Sequence, residues 1–568
     1  MKTRKACCPL ILSAAAILFL LTACAALPTT RDSTADSTAL PTTASLATTT
    51  TMATTSAPDS SSTPETLPTA ATTSGSETAE TSQDGTTTMP FTNQTDITDA
   101  LAEAIRLAPD GGIITLPAGE FFVSDRIRLR SNVTVAGSGQ NQTIITVARN
   151  GLFSVFWAER QEKIILRNFT VNAANTAIKT VIDLERCSQV TIDSLAIHDM
   201  NGLDSSIAIH FQGTTDSLIR NCDFRNISVL SEWGCAIRLS EGSSRNLVEQ
   251  NTIVDTGRGG ILCDNNSTNL VIIGNTVSGS GITSEGLGIE IWGGCEYSII
   301  EDNVIDHWLS IDNSSYSAVR RNIVSDKSGT VKFLGLEVVG STDVICTDNR
   351  IDHGQYIGLS SSNVEPKEYT YWGNNEVYGC QQWGAQFQGE EGFVRHQYFY
   401  NLTIADTYKN RNPIYPNDAG HGFRFNENCE YFMFEGGRIT DNAGLGIQLL
   451  GHVSDVYFLD TVFENNARQQ ESVIESRRVD INVLPIVKFT CPEAVQTGDV
   501  VSFMNLSEGN SGEIDRALWD FGAGLPGSDF SPDFVYAQAG VYTVSLVVWN
   551  MAGYAYRAEQ TITVSDAG

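Results

Sequence analysis

An asparagine followed two or three residues later by an apolar residue recurs along the middle of the chain, at Asn168, Asn221, Asn251, Asn275, Asn303, Asn322, Asn349, Asn375 and Asn401. Ser194, Gly437 and Thr461 hold the equivalent place in three further repeats. The steps range from 19 residues (Asn303 to Asn322) to 36 (Asn401 to Gly437), and most lie near 26. A period of roughly 20–50 residues marks a chain of stacked units rather than a closed globule. Each step also carries a strand of the form small-apolar-x-apolar, such as Ala236-Ile237-Arg238-Leu239, Gly288-Ile289-Glu290-Ile291 and Gly422-Phe423-Arg424-Phe425. Side chains alternate across a strand, so the apolar pair turns inward and x turns outward. Twelve coils of three short strands follow from the count.

Ahead of the repeats, Asp96 opens a segment whose Ile97, Leu101, Ala104, Ile105 and Ala108 share one helical face, and Pro109-Asp110-Gly111-Gly112 ends it. The runs from Ile113 to Phe121 and from Asn132 to Gly137 come next. This opening, with the repeats over roughly residues 110 to 470, resembles the pectate-lyase-like right-handed parallel β-helix proteins, in which the helix plugs the end of the coil. The resemblance implies an all-β fold: a right-handed single-stranded parallel β-helix of about 12 rungs with a short N-terminal capping helix. Its superfamily includes hydrolases, lyases and epimerases. The repeated Asn is read as a ladder bonding backbone from coil to coil. Cys187, Thr214, Ser243, Cys295, Thr342 and Cys429 are read as small buried residues at the next turn.

The two ends of the chain read differently. Lys2, Arg4 and Lys5 precede an apolar run from Leu10 to Leu21, the pattern of an export signal. Leu21-Thr22-Ala23-Cys24 resembles the bacterial lipobox, which implies a signal over residues 1–23 and lipidation of Cys24. Residues 24–92, rich in Thr, Ser and Ala, hold too few large apolar side chains to repay ordering and are read as a disordered tether. The β-helix is assigned to 93–483. From 484 to 568, Trp519-Asp520-Phe521-Gly522-Ala523-Gly524, Pro532, Tyr536 and Ala539-Gly540-Val541-Tyr542 resemble a PKD domain, a small Ig-like β-sandwich, taken as a spacer. Its Tyr554 and Tyr556 are read as carbohydrate-facing or plain strand residues.

The chain carries 36 Lys and Arg against 66 Asp and Glu, a formal net charge of −30, which argues against nucleic acid as a partner. A column of x residues can instead make a groove floor matching an extended polymer. It reads Asp183, His210, Arg238, Leu262, Glu290, Ser310, Glu337, Gly358, Gln386, Arg424 and Gln448, with Glu185, Gln212, Ser240, Asp264, Trp292, Asp312, Val339, Ser360, Gln388 and Asn426 beside it. Asp264, Glu290, Asp312 and Glu337 fall on consecutive rungs, with Glu290 and Glu337 roughly 10 Å apart from strand spacing. That suits two-carboxylate glycoside hydrolysis, with Glu290 as acid and Asp264 or Glu337 as base. Trp292, Arg238, His210, His353, Gln386 and Arg424 are the expected substrate-binding residues. Imidazoles recur on the turns at His307, His353 and His421, and an insertion from Tyr408 to Tyr415 is long enough to wall the groove.

The expected function is that of a surface-anchored monomer acting as a glycoside hydrolase on an extended polysaccharide, held outward on the bacterial membrane by its lipid and needing no cofactor. Two alternatives stay open. One is a calcium-assisted polysaccharide lyase or epimerase on uronic acids, with calcium across Asp264, Glu290 and Asp312. The other is a non-catalytic glycan-binding scaffold or adhesin.

Overall fold

In the computed structural model the described residues are 80–81, 85–201, 206–281, 286–326, 332–353, 355–363, 368–389, 392–408, 420–468 and 471–567. The signal, Cys24, most of the tether and residues 409–419 of the insertion lie outside them. No helix among the described residues is long and apolar enough to cross a membrane.

From Gly112 to Glu464 the chain winds through three parallel sheets, here faces A, B and C, to which it gives fourteen, fourteen and thirteen strands; Glu80–Thr81 and Thr86–Thr88 add two more to the edge of face A. Each coil gives one strand to each face, and each strand pairs in parallel with those one coil before and after, as Leu287–Trp292 does with Gly259–Cys263 and Leu309–Asp312. Face C counts thirteen coils against the expected twelve or so: eleven of its strands lie between Asn168 and Thr461, and Ile127–Arg128 and Gly151–Glu159 belong to it ahead of Asn168. Inside run stacked apolar rows such as Ile237, Ile261, Ile289, Leu309, Leu336 and Leu359, all buried. The helix Thr98–Leu107 closes the first coil with Leu101 and Ile105, and Asp96 accepts the Thr98 N–H at its start. Thr86–Thr88 already pairs with Gly112–Thr115, ahead of residue 93.

The small position of the strand motif is set by close approach. A Cβ on Gly288 would come within 1.9 Å of Ile305 Cγ2, and one on Gly422 within 2.4 Å of Ile439 Cγ2. At these two coils only glycine lets the corner nest on the branched residue inside it.

The asparagines resolve into two adjacent columns. Asn251, Asn275, Asn303, Asn322, Asn349 and Asn375 are buried, and each side-chain amide donates at 3.0 Å to Oδ1 of the next. The same Oδ1 atoms accept backbone N–H groups, and each Nδ2 also reaches a carbonyl of the previous coil. Asn168, Ser194, Asn221 and Asn401 stand one residue earlier, in a left-handed column with Gln250, Asp302, Arg321 and Asp348, at φ of 51° to 61°. Asparagine tolerates that conformation better than most residues, so one residue type serves both columns. The thiols of Cys187, Cys222, Cys235, Cys263, Cys295, Cys346, Cys380 and Cys429 are free and buried.

Residues 489–565 form the sandwich, with Trp519, Phe521, Tyr536, Val544, Leu546, Val548 and Ile562 in its core. It is not a spacer: it lies against face A. Leu518, Val547, Trp549 and Ala555 pack with Ile345, Tyr371, Tyr398 and Met433. Tyr554 packs on Tyr457 at 5.0 Å between ring centroids, and Tyr556 borders the same cluster. Arg320, 1% exposed, bonds Glu301 at 2.7 Å on its own face, and Asp520 at 2.8 Å and the Gly524 carbonyl at 2.7 Å on the sandwich. Arg516 of the sandwich pairs in turn with Asp343.

Two outcomes follow. Asn303→Ala leaves buried groups on two coils without partners and should cost about 3 kcal/mol in a urea melt, while Asn401→Gly in the left-handed column should change stability by under about 0.5 kcal/mol. Asp520→Asn leaves the buried Arg320 charge with one carboxylate, so a loss of about 3 kcal/mol is expected, with faster protease cleavage between residues 468 and 483.

Candidate functional site

The outward column of face C begins earlier than the sequence reading placed it. Arg128 and Trp157 precede Asp183, and then come His210, Arg238, Leu262, Glu290, Ser310, Glu337, Ser360, Gln386, Arg424 and Gln448 in unbroken register. Ser360, not Gly358, stands in the column; the inward residue after it is Ser361 instead of an apolar one, which disguised the motif. Trp292 and Asp312 are cross-strand neighbours in the column alongside, both partly exposed.

Glu290 and Glu337 share the column, separated by the coil of Ser310. Their surroundings differ. Arg258 Nη2 lies 3.2 Å from Glu290 Oε1, and burial pushes the Glu290 carboxyl up against the pull of that guanidinium. Glu337 is 4% exposed, and among the described residues no cation pairs with it: its Oε2 accepts from Trp308 Nε1 at 2.8 Å and from Ser310 Oγ at 3.0 Å. Burial, reinforced by the Glu290 charge and opposed by those two hydrogen bonds, raises its pKa to about 7. Trp308 stands where neighbouring coils have Gly288 and Gly335, and its φ of 45° lets its indole reach the outer face.

Asp264 is engaged elsewhere. Arg238 Nε lies 3.0 Å from its Oδ2, and burial raises its carboxyl against that pairing. Asp312 accepts from Asn313 Nδ2 at 2.9 Å. Asp264, Glu290 and Asp312 do not converge, and among the described residues no three His, Cys, Asp or Glu side chains gather to hold a metal ion.

His210 is 2.8 Å from Ser240 Oγ through Nε2 and 4.0 Å from Asp183 through Nδ1; burial, with Arg238 and Lys179 nearby, lowers its pKa to about 3, so it is neutral at physiological pH. Gln386 is buried in the column, its Nε2 3.5 Å from Gln388 Oε1. The Arg424 guanidinium lies 4.1 Å from the centroid of the buried Trp383 ring. His353 is not on the face: it occupies the turn before Gln355–Asn363, paired with Asp352 and 66% exposed in its side chain. His307 is buried against Asp306, and His421 Nδ1 accepts the Leu445 N–H at 2.9 Å. Sequence reasoning missed Arg258, Trp308 and Trp383. Trp308 alone left a signal, a large residue in the small place of the motif.

Residues 131–305 match the family model described as right handed beta helix region, and residues 482–565 match that of the PKD domain. The chain is 30% identical over 106 residues to the pre-pro-metalloprotease PrtV of Vibrio cholerae, a stretch that is 19% of this chain and 11% of that protein. It thus spans about a tenth of the length of that relative. The PKD1 domain of Vibrio anguillarum Epp, a solved structure, is 34% identical over 15% of this chain and 99% of its own, with a TM-score of 0.14. The tailspike protein of Escherichia coli bacteriophage HK620, solved with a pentasaccharide, is 13% identical over 82% of this chain and 89% of its own, with a TM-score of 0.43. By its coiled sheets and the two matched regions, the chain folds as a parallel β-helix followed by a C-terminal PKD-like β-sandwich.

Proposed function

We propose that face C is the groove of a glycoside hydrolase acting on an extended polysaccharide, with Glu337 as general acid and Glu290 as general base. The observation that carries this is the contrast between two carboxyls in one column: Glu290 faces Arg258, whereas Glu337 accepts from an indole and a hydroxyl donor and has no cation against it among the described residues. Pairs of acids whose surroundings push their protonation apart mark acid and base roles. These roles exchange those read from the sequence, because the cation beside Glu290 favours its ionised form.

Two coils at about 4.8 Å each set the carboxyls near the separation of roughly 6.5–9.5 Å that leaves room for a water, so inversion at the anomeric carbon is expected. Glu337 donates its proton to the glycosidic oxygen as the bond to the anomeric carbon breaks. Glu290 takes a proton from a water whose oxygen attacks the opposite face, leaving the products as a new reducing end and a free hydroxyl. Trp292, Arg238, His210, Gln386 and Arg424 would line the polymer's path. His353, on its turn, would act only at the groove's edge. Export through residues 1–23 and lipidation at Cys24 would hold a monomer outward on the bacterial membrane, within reach of polymers too large to import.

The full chain incubated with neutral and uronic-acid polysaccharides, with and without a chelator, should release reducing ends without unsaturated product. Chelator-sensitive unsaturation would instead assign a calcium-assisted lyase, and retention without cleavage a binding scaffold. The pH profile of kcat/KM should be bell-shaped. Activity falls as pH rises through about 7, where Glu337 loses the proton it must donate, and falls again as pH drops through the raised value of Glu290, where the base becomes protonated. Glu337→Gln and Glu290→Gln should each lower kcat by about a hundredfold or more, the first also removing the alkaline limb.

A further inference from the structure

We infer that the loop of residues 228–234 is a sugar-stacking wall beside Glu290, with Trp233 as its platform for a neutral pyranose and Arg258 as the positioning residue that joins platform to carboxylate. The role of Arg258 rests on the hydrolase reading; the stacking by Trp233 does not. Of the tryptophans along this face, Trp308 and Trp383 are covered, at 4% and 1% exposed, while Trp157 and Trp292 are partly exposed. Trp233 is 37% and its loop neighbour Leu230 73% exposed.

The loop is nonetheless braced. Ser231 N–H donates to the Ser228 carbonyl at 2.8 Å, Gly234 N–H to that of Ser231 at 3.3 Å, and Arg258 N–H to that of Gly234 at 2.7 Å. Gly257 lies so close beneath it that a Cβ there would come within 2.3 Å of the Ser231 carbonyl. A platform held this way needs little further ordering when a ligand arrives.

The Arg258 guanidinium sits 4.6 Å from the centroid of the Trp233 ring while its Nη2 reaches Glu290. Its Nε is buried and has no hydrogen-bond partner among the described residues. One cation thus covers one face of the indole and fixes the carboxylate beside it, and the exposed remainder of the ring offers the flat apolar surface that the C–H face of a sugar ring stacks on. The charge balance selects the sugar. Arg258 is paired with Glu290, Arg238 with Asp264, and Lys179 lies 3.8 Å from Asp183. These three cations already face carboxylates, so a uronate would have to compete with Glu290, Asp264 and Asp183 for them, whereas a neutral pyranose needs no counter-charge.

The test separates binding from turnover. Full-length Glu337→Gln protein is run through native gels containing a neutral glucan, mannan or xylan, or polygalacturonate or alginate. Retardation by a neutral polymer is expected, with Kd rising roughly tenfold in Trp233→Ala and largely restored in Trp233→Phe, as loss of an aromatic stack would give. Unchanged Kd in Trp233→Ala, or retardation by the uronic-acid polymers alone, overturns the platform. An unaltered melting temperature in Trp233→Ala keeps the comparison free of misfolding.

For Arg258, the acid limb of the pH profile is the readout. Glu290 faces Arg258, Arg238, Asp264 and Glu337, and of these Arg258 bonds it directly. Arg258→Gln should move that limb toward neutral pH and Arg258→Lys should return most of it. An unmoved limb removes Arg258 from the mechanism. A chain that binds neutral polymer through Trp233 yet never cleaves it would sink the hydrolase and leave the platform standing.

Discussion

Hydrogen bonding between successive coils is the constraint on which everything else rests. Parallel strands spaced at about 4.8 Å can continue without limit only if every coil repeats the same corners, and corners are where backbone groups lose their partners. The turn from face A to face B is the sharpest: one left-handed residue and then the ladder residue, as in Asp302-Asn303. An asparagine there supplies the donors and the acceptor the corner lacks, from Asn251 to Asn375, and Cys222 N–H donates to the first of them at 3.0 Å. With the corners fixed, residues on one face stay in line, and Glu290, Ser310 and Glu337 meet although 47 residues separate the first from the last.

That regularity is why much of the molecule could be read from its letters. Alternation along a strand and a small residue at its start were enough to name ten of the eleven outward residues from Asp183 to Gln448. The slip at Gly358 came where Ser361 replaced the apolar residue that closes the motif. Merging two asparagine columns came from a side chain that suits both a positive φ and a buried amide ladder. Arg258 and Trp233 were out of reach for another reason. They sit on turns, where no period governs, and the guanidinium joins them to Glu290 across coils. The docking of the sandwich was equally invisible, since Arg320 and Asp520 are 200 residues apart and belong to different folds.

The electrostatics of the groove differ from those of the chain as a whole. A formal charge of −30 is spread over the molecule, yet the carboxylates Asp183, Asp264 and Glu290 each lie close to a cation, and Glu337 is held chiefly by burial. Trp308 stands in the small place of the motif and its indole N–H donates to Glu337. The setting of Glu337 therefore depends on a departure from the repeat, because identical coils would give identical carboxyls.

The seam with the sandwich also has an evolutionary meaning. A solenoid can gain or lose a whole coil by duplication or deletion, since each one contacts mainly its neighbours. Here the sandwich grips face A from Arg320 to Tyr457, six consecutive coils, and its side chains are spaced to fit that number. An extra coil inside the span would carry Tyr457 away from Tyr554 while Arg320 stayed on Asp520. The sandwich is thus a ruler for the length of the solenoid it covers, and growth of the chain is left to the coils before Glu301.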